Sequence, residues 1–305
     1  MIAALLGAGT MGSFHAETLR GLVDELRIYD ADPARRTVET LEEALDGASA
    51  AVIVTPAAAH AELIRVCVDR GLATFCEKPI AIGLEETLGV VEHVESMGGR
   101  VQMGFQRRFD DAYAAARSRI RDGHLGRIHG FSMATLDRTP PPRTYVPTSG
   151  GLFKDMHIHD FDSVRWLFGQ EVEEVYAAGS VLVDGMFGEF DDVDTSAVNI
   201  RLADGTLGTI VGARANAAGY IARLDVYGAD DMLSVREDRR YRDFLDRYPD
   251  AYQAEMAHFV RVAKGEAEVP CTVGDALEAL RIAVAADASR REGRPVRLAE
   301  IGERY

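Results

Sequence analysis

Along the first 120 residues, short unbroken apolar runs alternate with stretches whose apolar residues recur at helical spacing. Runs at 2–6, 26–29, 51–54, 74–76 and 101–104 predict strands buried on both faces. Helical patterns at 11–22, 57–70 and 83–97 fall between them, and Pro33 marks the start of a further helix reaching to Leu45. Strands separated by helices of about 10–15 residues predict a parallel sheet covered on both faces.

Beyond Arg107 the texture changes. A helix over 110–121 is followed by strand-like runs at 128–134, 172–183, 196–202, 207–213 and 222–227, with Asp204-Gly205 as a hairpin turn between two of them. One helical pattern, 156–168, interrupts this series and ends at Gly169; two more cover 248–264 and 274–291. The pattern predicts an α/β chain with a parallel-sheet domain over 1–120. An α+β domain follows over 121–305, with a large, mostly antiparallel open sheet and helices on one face. The last helix is a candidate to return to the first domain.

Length and composition fit two soluble domains: 305 residues, 47% hydrophobic and 27% charged. With 34 Lys plus Arg against 49 Asp plus Glu, the formal charge is −15, which opposes non-specific contact with nucleic acid or an anionic membrane. No apolar run approaches the roughly 20 residues of a membrane span. Met1-Ile2-Ala3-Ala4-Leu5-Leu6 reads as a first strand rather than a signal peptide. Cys67, Cys76 and Cys271 are odd in number and form no C-x-x-C pair, so a cytoplasmic protein without a disulfide framework is expected. Neither G-x-x-x-x-G-K-[ST] nor G-x-S-x-G occurs.

The first chemical motif is Gly7-Ala8-Gly9-Thr10-Met11-Gly12, a G-x-G-x-x-G between a strand and a helix. Gly7 makes the tight turn, Gly9 admits a pyrophosphate to the backbone, and Gly12 lets helix and strand approach. Free N–H groups of the first helical turn then face the phosphates. Asp30 stands at the end of the second strand, where a carboxylate accepts ribose hydroxyls and repels a 2′-phosphate. NAD is therefore expected over NADP, with Arg35 and Arg36 as the residues that would argue otherwise. Thr55-Pro56 ends the third strand on the ligand-binding edge, and His60 is placed either at the cofactor rim or in a structural role.

Glu77-Lys78-Pro79 ends the fourth strand on the same edge, where the Lys78 amine would face the nicotinamide and stabilise a developing alkoxide. The densest polar cluster is Gly150-Gly151-Leu152-Phe153-Lys154-Asp155-Met156-His157-Ile158-His159-Asp160. Asp155 and His159, four apart, share a helix face, and His157 points elsewhere. That spacing suits an acid–base pair better than a metal site: an imidazole takes the proton of an alcohol while a carboxylate orients it. No metal is expected.

Together these stretches resemble the glucose–fructose oxidoreductase/inositol dehydrogenase (Gfo/Idh/MocA) family, most nearly its inositol 2-dehydrogenase branch. The resemblance runs through 7–12, 77–79, 104–110, 150–169 and 192–210. It implies a Rossmann domain that binds NAD, and a C-terminal sheet that builds a homodimer or homotetramer. Lys78, Asp155 and His159 are implied as the catalytic set, with His159 as the base. Pro79 is implied to shape the nicotinamide pocket through a cis Lys78–Pro79 bond. Asp137, Tyr145 and Tyr220 are implied near the polyol or sugar substrate, and Arg107 in the cleft beside the cofactor. Thr135-Leu136-Asp137-Arg138 departs from the family, in which an arginine commonly precedes the aspartate. His157 stands where a small or hydroxyl residue is usual. Competing readings are a related sugar dehydrogenase, an NADP-dependent sugar oxidoreductase, and a non-catalytic dinucleotide-binding regulator.

Overall fold

The computed structural model describes residues 1–302; the last three residues of the expected second domain lie outside the described residues. In chain order the elements are β1 (Ile2–Leu6), α1 (Thr10–Arg20), β2 (Glu25–Tyr29), α2 (Leu41–Leu45), β3 (Ala50–Ile53), α3 (His60–Asp69), β4 (Ala73–Glu77), α4 (Leu84–Ser96) and β5 (Val101–Gly104). Then come α5 (Asp111–Arg121), β6 (Ile128–Leu136), α6 (Leu152–Asp155), α7 (Ile158–Phe168), β7 (Val172–Ser180), β8 (Thr195–Leu202), β9 (Leu207–Ala213), β10 (Ile221–Gly228) and β11 (Met232–Val235). The series ends with α8 (Phe244–Arg247), α9 (Pro249–Ala263), α10 (Val273–Glu292) and β12 (Val296–Arg297).

Two compact units result. The first is Met1–Gln106 with Asp250–Leu277; the second is Arg107–Pro249 with the described chain from Glu278 onward. The pattern-based boundary after residue 120 differs from this division. Helix α5, capped by the Asp110 carboxylate on the Tyr113 N–H at 3.1 Å, lies in the second unit and packs on α7. The segment that joins the first unit is α9 from Asp250 onward, with only the start of α10. Met256, Phe259 and Val260 of α9 enter the same core as Leu5, Val52 and Phe75.

The first unit carries a parallel sheet in the order β2-β1-β3-β4-β5. Strands β1, β3, β4 and β5 are almost wholly buried, as the unbroken apolar runs require, whereas β2, expected to be buried on both faces, lies at the sheet edge and fully buries only Ile28. Strand order reverses between β1 and β3, so the turns after these two strands flank the crevice where open α/β sheets bind ligands. The second unit carries a sheet in the order β11-β10-β6-β9-β8-β7-β12, antiparallel except for the parallel pair β6–β9. Alternation sends Val198, Ile200 and Ile210 inward and leaves Leu207 and Val211 exposed.

Two expected helices change. The helix begun at Pro33 forms only over Leu41–Leu45. Upstream, the Asp30 and Asp32 carboxylates accept the N–H groups of Asp32 and Ala34, and Thr37 Oγ1 accepts that of Ile28. Those side-chain bonds hold turns in place of a helical ladder. The helix expected over 156–168 is two, with a break at Met156 and His157 between α6 and α7.

Candidate active site

In the first unit the glycine turn follows β1 directly. Gly7 has φ +94°, and a Cβ there would lie 2.8 Å from the backbone of Val54 and Thr55. A Cβ on Gly12 would lie 2.1 Å from the Gly7 carbonyl oxygen, so helix α1 approaches β1 only because position 12 is bare. A Cβ on Gly9 would meet nothing within 4 Å. Its open side is the face that a pyrophosphate would use. A cavity of about 480 Å³ opens here, lined by Ala8, Gly9, Thr10, Ser13, Arg20 and Arg35 among others.

Asp30 leaves β2 beside this turn. Its Oδ2 accepts the Ala8 N–H at 2.6 Å and its Oδ1 the Asp32 N–H at 2.8 Å. The Ala8 N–H holds the carboxyl below its ordinary range. Asp30 therefore fastens the turn and remains an anion where a ribose would sit. Arg35 lies on the cavity wall, paired with Asp32 at 3.3 Å, while Arg36 pairs with Glu39. After β3, Thr55 Oγ1 is buried and has no hydrogen-bond partner among the described residues. The bare glycine cradle, this unused hydroxyl and the Asp30 anion fit a dinucleotide.

The residues after β4 are held on both sides. Glu77 Oε1 lies 2.9 Å from Nε2 of the buried His15. The Lys78–Pro79 peptide is cis. His60, 2% exposed, spans from the Pro79 carbonyl oxygen to that of Thr55, at 2.7 Å each.

In the second unit, Gly150 and Gly151, at φ +81° and +90°, turn the chain into α6. Asp155 ends that short helix. Its Oδ1 accepts the Tyr145 hydroxyl at 2.8 Å, and its Oδ2 accepts Arg214 Nη1 at 2.8 Å. The same Arg214 nitrogen stands 3.6 Å from Asp137 Oδ2. Burial works against the charge of Arg214, but Asp155 and Asp137 outweigh it and raise its pKa above the ordinary value. Burial, reinforced by Asp155, likewise pushes the Tyr145 phenol up, so it stays a donor. His159 lies in the first turn of α7, where its carbonyl accepts Ser163 Oγ at 2.7 Å.

His157 does point away, into the interior. Its Nδ1 meets Asp160 Oδ2 and its Nε2 meets Ser196 Oγ, both at 2.7 Å. Position 212 must be glycine beside it, because a Cβ there would lie 2.3 Å from His157 Nε2. Asp160 also accepts Arg107 Nη1 at 2.5 Å and Thr135 Oγ1 at 2.7 Å. Arg107, expected beside the cofactor, is thus buried in the second unit. Tyr220, expected beside the substrate, is 5% exposed and packs edge-on against Tyr248, within the field of Arg107. Among the described residues no three His, Cys, Asp or Glu side chains gather as a cation site.

The structure brings Asp137, Tyr145 and Asp155 together around Arg214, a residue that sequence reasoning passed over. Its signal was a lone arginine directly after the alternating run 207–213, at a position that turns inward.

Residues 2–105 match an oxidoreductase family with an NAD-binding Rossmann fold, and residues 113–234 match the GFO/IDH/MocA C-terminal domain. The chain is 33% identical to the inositol 2-dehydrogenase of Rhizobium meliloti, over 97% of its own length and 98% of that protein. The same identity and coverage hold for the myo-inositol 2-dehydrogenase of Thermotoga maritima. A crystal structure of a probable dehydrogenase from Thermotoga maritima superposes with a TM-score of 0.94 at 30% identity, covering 99% of this chain and 100% of that one. Glycine cradle, Asp30, the Glu-Lys-Pro turn and the Asp155/His159 segment fall within matches spanning both units, and the chain belongs to the GFO/IDH/MocA oxidoreductase family.

Proposed function

We propose that this chain oxidises a secondary hydroxyl of a cyclic polyol or sugar with NAD, with inositol at its 2-position as the first candidate. The observation that carries the reading is the second unit's Asp155, held as a charged anchor by Tyr145 and Arg214 and followed four residues later by His159. A carboxylate with both oxygens already accepting is suited to orient and to balance charge rather than to take the proton. His159 is the proton acceptor, Lys78 donates to the reacting oxygen as alkoxide character develops, and Asp137 faces the substrate hydroxyls. NAD, when bound, accepts the hydride that leaves the carbinol carbon. One proton to His159 and one hydride to the cofactor balance a two-electron oxidation to the ketone. The test is NAD reduction at 340 nm across a panel of inositols and sugars. Turnover of a cyclic polyol supports the reading, and inertness toward the whole panel contradicts it.

A second reading, NADP use, is favoured by Arg35 and Arg20 on the cavity wall. Asp30 opposes it, and the ratio of kcat/KM for the two cofactors decides.

We further propose that the exposed side of the second sheet joins copies of this chain, through Tyr176, Leu207, Val211, Tyr227 and Met232. Among the described residues no helix is long and apolar enough to cross a membrane. Cys67 is a buried thiol that burial pushes to about 12, and Cys76 is buried too, which accords with a cytoplasmic setting.

A further inference from the structure

Two buried histidines that the chemistry above leaves unused grip the residues on either side of Lys78. His60 opens α3, and its ring bridges the carbonyl oxygens of Thr55 and Pro79 at 2.7 Å each. His15, on α1, is fully buried among the edges of Phe14, Phe75 and Tyr252 and reaches Glu77 Oε1 at 2.9 Å. Its other nitrogen, Nδ1, has no hydrogen-bond partner among the described residues, so the contact with Glu77 is the ring's one polar tie. An imidazole is rigid, and one held between two carbonyl oxygens sets the spacing of the two segments it touches, its N–H donating to one of them or, when both nitrogens carry protons, to both. The helices that supply these rings are those that follow the two loops flanking the dinucleotide crevice.

We propose that His60 and His15 are positioning residues that fix the Glu77-Lys78-Pro79 turn to the dinucleotide cradle, so that the Lys78 amine is presented to the reacting oxygen in one pose. The proposal rests on the reading of Lys78 as the group that meets that oxygen. Neither histidine touches substrate. His60 ties the turn to the loop after β3, and His15 ties it to the helix that carries Gly12. A lysine has four rotatable bonds, so its useful geometry depends on how firmly its backbone is set. A displacement of about 1 Å can cost a hundredfold in rate.

The two nitrogens of His60 allow a test that a generic packing role would not pass. Asparagine at 60 keeps a donor near the Nδ1 position, toward Pro79, whereas glutamine keeps one near Nε2, toward Thr55. His60→Gln is expected to lower kcat by about tenfold to a hundredfold while moving the Kd for NAD less than about threefold. His60→Asn is expected to retain kcat within about threefold of the parent. Hydrogen exchange of the peptide covering 74–84 supplies a readout independent of turnover: faster in His60→Gln, near the parent in His60→Asn. His93→Asn, at an exposed pair with Asp69, should change nothing. If the position 60 variants do not accumulate as folded protein, His15→Phe against His15→Gln poses the same question at Glu77, with Phe the slower enzyme. Indistinguishable Asn and Gln variants overturn the proposal, as does a Kd for NAD that rises in step with the fall in kcat. If the parent turns over no polyol or sugar, the reading of Lys78 fails, and the exchange comparison alone decides whether the histidines hold the turn.

Discussion

At Asp160 one buried carboxylate accepts hydrogen bonds from Arg107, Thr135 and His157 at once. Burial alone would raise its pKa, but the Arg107 charge and the His157 contact overcome that and hold it well below the ordinary 3.8. A depressed folded-state value contributes stability that is present above the unfolded value, and it is lost as pH falls through the folded one. Asp160→Asn leaves the Arg107 charge uncompensated and is expected to cost about 3–5 kcal/mol near neutral pH. Because the parent loses its advantage in acid, the gap between the two proteins should narrow below about pH 4. Urea melts at pH 7 and pH 3 check both statements, and a gap independent of pH would contradict them. The residues of this network were poorly legible in the sequence. Arg107 and Tyr220 were noticed for chemistry, yet their burial depends on partners 53 and 28 residues away in the chain, at Asp160 and Tyr248. Periodicity does not carry such pairings. Lys78, Asp155 and His159 stood out because short motifs with a family likeness surround them.

The glycine turn between β1 and α1 is the element where sequence and structure agree most closely: Gly7 and Gly12 each have a steric reason within the protein, and Gly9 leaves open the side that a pyrophosphate would use. That separation yields a prediction by position. Gly12→Ala places a methyl 2.1 Å from the Gly7 carbonyl oxygen, so the helix must shift. A loss of about 1–3 kcal/mol in stability is expected, along with weaker NAD binding. Gly9→Ala meets nothing within 4 Å in the protein itself. Its melting temperature should match the parent's while its Kd for NAD rises about tenfold or more. Thermal melts beside a cofactor titration separate the two, and equal melting losses would refute the argument. The expected helix from Pro33 shows where local reading falls short. Helical spacing was present, but Asp30, Asp32 and Thr37 offered the backbone closer partners. The break between α6 and α7 was equally hidden, because His157 turns inward to Asp160 and Ser196, which no helical period announces.

For the whole molecule, the alternation of strand and helix predicted the parallel sheet, and the series of strand-like runs with the Asp204-Gly205 turn predicted the mostly antiparallel one. The parallel β6–β9 pair and the share of α9 in the first unit depend on contacts far apart in sequence, and these were not legible. The open sheet carries the prediction at this scale. Leu207 and Val211 are 54% and 46% exposed on one strand face, so Leu207→Asp with Val211→Asp should lower the mass seen by light scattering to that of a monomer. An unchanged mass would move the interface elsewhere. The claim on which the function depends is that Lys78 and His159 act on the same hydroxyl. The most direct measurement is kcat/KM for NAD reduction with the best polyol, in Lys78→Ala, His159→Ala and the double variant. Groups that serve one transition state are strongly non-additive. Each single change is expected to cost about a thousandfold, with the double variant no more than about tenfold worse than either. Losses that multiply in full, or a Lys78→Ala enzyme with parental turnover, would contradict the account.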